Sequence, residues 1–111
     1  IMLTDERIKS MTDDKLEIEM IAIGFRKIND VYFRKINDML ILIKKDKDAY
    51  YVMIYYNNKY RLLMTKSKLV MYKVLKMVRE YNMDKLKGLG IEVNEDNEIV
   101  KDLIQYKDAL L

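Results

Sequence analysis

The sequence has 111 residues, half of them apolar, which is the length of one domain and enough to hold a core, since a chain of this size buries roughly 65% of its unfolded surface. It contains no cysteine, histidine or proline, so a disulfide scaffold, Ser–His–Asp and Cys–His catalysis and the usual zinc sites are excluded. The net charge of +3 divides unevenly: residues 1–24 carry three basic and six acidic groups, residues 25–79 carry 14 and four, and residues 80–111 carry four and eight. A central block this basic reads as a polyanion-binding surface, unless the acidic ends fold back on it or cross to a second subunit.

Thr4-Asp5-Glu6 and Thr12-Asp13-Asp14 are helix starts, each a capping hydroxyl followed by acids at the positive end of the helix dipole. The stretch Leu16 to Met20 also alternates as a strand does, but Leu16, Met20 and Ile23 share a helical face, and a helix ending near Gly24 is the favoured reading.

From Ile23 to Thr65 the pattern changes. Asn29-Asp30, Asn37-Asp38 and Asn57-Asn58 separate segments rich in Ile, Tyr, Phe, Val and Leu, and asparagine tolerates the positive φ of two-residue hairpin turns. A fourth break falls at Lys45 to Asp48. The expectation is an antiparallel meander of four to five strands.

Two-residue turns fix register, so the faces follow. Tyr51, Met53, Tyr55, Tyr60, Leu62 and Met64 share a first face with Phe33, Leu40 and Leu42. Ile54, Val52, Leu63, Ile36, Met39, Ile41, Ile43 and Tyr50 lie on the second. Both faces are apolar at the centre, so both require cover. The hexapeptide Phe-Arg-Lys-Ile-Asn-Asp occurs at 25–30 and again at 33–38, as a duplicated strand end and turn.

After Thr65 the period becomes helical. Capped by Ser67, a helix over roughly residues 67–81 gathers Val70, Met71, Val74, Leu75, Met77, Val78 and Tyr81 within an arc of roughly 160°. Its opposite side carries Lys66, Lys68, Lys73, Lys76 and Arg79, with Tyr72 among them. These six are the candidate nucleic-acid contact, the cations neutralising phosphates and the ring stacking on a base. Two rival readings are a membrane-surface helix, whose apolar arc the sheet needs, and a solvated lysine face without a partner.

Lys87 to Gly90 reads as a connection, and Asn97 opens a last helix, residues ~97–110, expected to cover the second face. Gly88-Leu89-Gly90 lacks the later glycine and lysine of a phosphate loop. Asp46-Lys47-Asp48 and the cluster Glu92, Glu95, Asp96, Glu98 match no metal-loop spacing, and are read as a polar turn and a solvated acidic loop.

The fold class expected is therefore α+β, one domain over residues 1–111. In the order of its elements over residues 25–81, this meander and following helix resemble the Whirly single-strand-binding proteins. Less closely, they resemble the strand-then-helix DNA-binding modules of integrase arms. The resemblance implies a nucleic-acid partner and transfers no site residue.

The function expected is a small, non-enzymatic nucleic-acid-binding protein with no cofactor and no small-molecule substrate. Its residue usage suggests a phage, virus or other mobile element. No leader and no run near the roughly 20 residues of a membrane span are visible, so the cytoplasm is the expected compartment. A homodimer is expected too, through the last helix or the second face around Ile41, Ile43, Val52 and Ile54. The alternative is an inhibitor or accessory factor whose exposed tyrosines and methionines meet a protein surface.

Overall fold

A computed structural model describes residues 3–111. Two short helices, α1 (Asp5–Lys9) and α2 (Asp13–Ala22), open the chain. Thr4 Oγ1 accepts from the Arg7 amide and Thr12 Oγ1 from the Lys15 amide, both at 3.2 Å, so each threonine satisfies one of the amides that a helix start leaves unpaired. The alternation within α2 yields to helix because Leu16 and Met20, four apart, are both buried.

The meander follows as β1 (Arg26–Ile28), β2 (Val31–Ile36), β3 (Met39–Asp46), β4 (Ala49–Tyr56) and β5 (Lys59–Thr65). Asn57 and Asn58 both adopt positive φ, at 55° and 60°, and Asn29, Asn37 and Lys47 do so in the other turns. The register across the last hairpin is the expected one, Tyr55 opposite Tyr60, Met53 opposite Leu62 and Tyr51 opposite Met64. The sheet is antiparallel but has six strands rather than four to five: after α3 (Lys68–Arg79) and α4 (Met83–Lys87), a three-residue β6 (Ile91–Val93) pairs with β5 at the edge.

Because β1 and β2 are joined by a two-residue turn, the duplicated hexapeptide presents opposite faces in its two copies. Phe25 and Ile36 enter the core under the second face, whereas Phe33 packs under the first.

Cover of the two faces is divided differently from expectation. The second face is roofed by Met11 between the N-terminal helices, by Leu16 and Met20 of α2, by Met71, Val74, Leu75 and Val78 of α3, and by Leu86 of α4. Burying each of these side chains contributes roughly 1.5–3 kcal/mol. The last helix, α5 (Glu98–Leu110), covers the first face and not the second: its Val100 and Leu103 pack on Val31, Leu40, Leu42, Met53 and Tyr60. Ile41, Ile43, Val52 and Ile54, one of the two expected dimer contacts, are at most 1% exposed beneath helices of their own chain. Among the described residues no helix is long and apolar enough to cross a membrane.

Candidate nucleic-acid interface

The six candidate residues do not share one environment. Lys66, just before α3, lies 3.6 Å from Asp48, and on the helix Lys76 lies 3.8 Å from Glu80, one turn on. Lys68 is held more firmly, its side chain 24% exposed and its ammonium 3.2 Å from Asp13. The ring of Tyr72 is half-buried against the core of the second face. Only Lys73 and Arg79 are exposed with no carboxylate in ion-pair range among the described residues.

Asp13 explains the loss of Lys68 from the free surface. Its carboxylate also pairs with Lys45 at 2.8 Å and accepts a hydrogen bond from the Tyr50 hydroxyl, so one side chain fastens the start of α2 to β3, β4 and α3. The Lys45 ammonium, then the Tyr50 hydroxyl, then Lys68 hold this carboxyl well below the usual carboxylate range, against a smaller opposing effect of burial. Burial, reinforced by the charge it faces, pushes the Tyr50 hydroxyl up.

Where α3 ends, the chain turns back tightly. Tyr81 sits at φ 54°, its amide donating to Val78 O at 3.1 Å and the next amide, of Asn82, donating to Met77 O at 2.9 Å. Both bonds close the carbonyls at the helix end in the manner usually served by glycine. Arg34 braces this bulky residue: one guanidinium nitrogen donates to the Tyr81 hydroxyl at 3.1 Å and another to Ile23 O at 2.7 Å. Asn82 then caps α4, its side chain accepting from the Lys85 amide at 3.4 Å.

The turn lays α4 beside α3 and opens a groove of about 250 Å³ lined by Lys73, Lys76, Met77, Glu80, Asn82 and Lys85. Lys85 is the residue that sequence reasoning missed. A five-residue helix gives too short a period to recognise, and the available signal was the cap, Asn82 followed by Asp84. Three lysines and one carboxylate line it, and only Lys76 reaches that carboxylate, an arrangement suited to binding phosphate and not to proton transfer or nucleophilic attack. Among the described residues no three carboxylates are grouped to hold a metal ion.

Comparison with protein-family models, with curated proteins and with solved structures returned no match. The functional reading therefore rests on this geometry.

Proposed function

We propose that the protein is a small, non-enzymatic nucleic-acid-binding protein whose phosphate-contacting surface is the outer side of α3 together with α4. The observation that supports it is the gathering of Lys73, Lys76 and Lys85 in one groove, with Arg79 on the same helix, against Glu80 alone. Each phosphate neutralised releases counterions, so binding to labelled single- and double-stranded DNA and RNA, followed by fluorescence anisotropy over a salt series, should weaken steeply as salt rises. An affinity that does not change with salt, or no affinity at low salt, would remove this reading.

A second reading has its own observation. On the outer side of α2, Ile18 is 60% and Ile21 is 49% exposed, three residues apart and flanked by Asp14 and Glu17. An apolar pair rimmed by acids suits a protein partner, a second copy of this chain included, better than a polyanion. Light scattering at high micromolar concentration of the wild type and of the Ile18→Asp, Ile21→Asp double variant tests the homodimer: a dimer that the variant abolishes supports it.

A further inference from the structure

The basic surface does not stop at the α3–α4 groove. On the far side of α4 lies a second opening of about 260 Å³ lined by Ile54, Tyr56, Asn57, Lys59, Arg61, Lys87 and Glu92. Two residues apart on one helix, Lys85 and Lys87 face different grooves. The helix between the grooves has a diameter of about 10–12 Å, so an extended strand can run across it.

Inside the second opening the ring of Tyr56 presents a face to the groove. The Lys87 ammonium lies 4.8 Å from the ring centroid, and among the described residues no carboxylate pairs with it, the Glu92 carboxylate of this opening pairing with Lys59. Two features make the pocket firm. Arg61 donates to the carbonyls of Leu89 and Gly90 at 2.8 and 2.7 Å, pinning the loop after α4 onto β5. The ring itself ends β4 and packs against the core of the second face. An aromatic ring at the end of a strand, lining a groove with a lysine ammonium over it, can serve as a stacking platform: a base exchanges with the ammonium and the freed cation meets the adjoining phosphate.

We infer that the ligand is a single strand that crosses α4 from the lysine groove and stacks one base on Tyr56. This inference rests on the nucleic-acid reading and adds to it the strand type and a base-contacting residue. Duplex DNA keeps its bases stacked on one another, so it engages the lysines and not the ring.

The test compares wild type, Tyr56→Leu and Tyr56→Phe for binding an oligothymidylate of about 12 nucleotides and a duplex of the same length. Tyr56→Leu should bind the single strand about 5- to 150-fold more weakly, with duplex affinity unchanged, and Tyr56→Phe should restore single-strand binding. Should Tyr56→Leu be unstable, photocrosslinking of bromouracil-substituted single strand to the wild type, mapped by mass spectrometry, decides: a crosslink at Tyr56 supports the inference. Single-strand binding by Tyr56→Leu equal to wild type, or crosslinks confined to α3, would overturn the inference and leave the lysine groove standing. If the wild type binds no nucleic acid at low salt, both fail.

Discussion

Asp13 gathers a hydroxyl and two ammonium groups at the first turn of a helix, and its carboxyl is held below the ordinary range by them. A carboxylate with a depressed value stabilises the fold fully above its unfolded value, about 3.9, and that contribution is lost as pH falls toward the folded value. The urea midpoint of the wild type should therefore drop as pH is lowered below about 4, and Asp13→Asn should show a shallower drop from a lower starting point. Since the side chain is 44% exposed, the loss at neutral pH should be only about 1 kcal/mol. Equal acid dependence in the two proteins would remove Asp13 from this role. Gly90 is fixed by a different cause: at φ 66°, a Cβ there would lie 2.3 Å from Leu62 O, in the backbone of the strand that β6 pairs with. Gly90→Ala should cost about 2–4 kcal/mol in denaturant unfolding, because neither backbone can yield without breaking the β5–β6 pairing. Gly88→Ala, whose new methyl meets nothing nearer than 3.9 Å, should stay within about 0.5 kcal/mol of the wild type.

Among the described elements, α5 alone roofs the first face, and it does so through few buried side chains. Val100 and Leu103 are fully buried, Lys44 pairs with Asp102, and the Lys107 ammonium lies 4.8 Å from the Tyr55 ring. Leu103→Ala should thus cost about 2–4 kcal/mol by thermal or urea unfolding, a cavity above Leu42 and Met53 that one unsupported helix is poorly placed to fill. A cost below about 0.5 kcal/mol would mean that α5 is not firmly seated. What the sequence revealed at this scale has a physical pattern. Asn57 and Asn58 announced their turn because only residues tolerant of positive φ suit it, and the turn then dictated Tyr55 opposite Tyr60 and every pair beyond. Thr4, Thr12, Ser67 and Asn97 announced helix starts because capping is local chemistry. The face that α5 covers was not legible, since an apolar stripe fits either apolar face and only the path of the whole chain selects one. Nor were β6 and α4, at three and five residues, because neither completes enough of a period to stand out. Lys85 was hidden with α4, and the third lysine of the candidate groove was hidden with it.

For the molecule as a whole, the charge asymmetry of the sequence is partly resolved by folding. Acids from the two ends reach cations of the basic centre: Asp13 meets Lys45 and Lys68, Glu17 meets Lys27, Glu92 meets Lys59, and Asp102 meets Lys44. Lys73, Arg79, Lys85 and Lys87 are among the cations left outside these pairs, and these four lie on α3 and α4. Lysines of one helix should consequently divide into two kinds. Lys68→Gln breaks a partly shielded pair and should lower stability by about 0.5–1 kcal/mol while leaving the salt dependence of single-strand binding unchanged. The triple variant Lys73→Gln, Arg79→Gln, Lys85→Gln disturbs no such pair, so each change should cost less than about 0.5 kcal/mol of stability. It should nonetheless weaken binding to all sequences alike and flatten the logarithmic salt slope by about 0.7 for each lost phosphate contact on a single strand, or about 2 in total. Anisotropy titrations over a salt series, with urea unfolding of the same preparations, measure both quantities. If Lys68→Gln flattens the slope as much as one of the three does, the surface acts through its general charge, and the division between paired and free lysines does not govern binding.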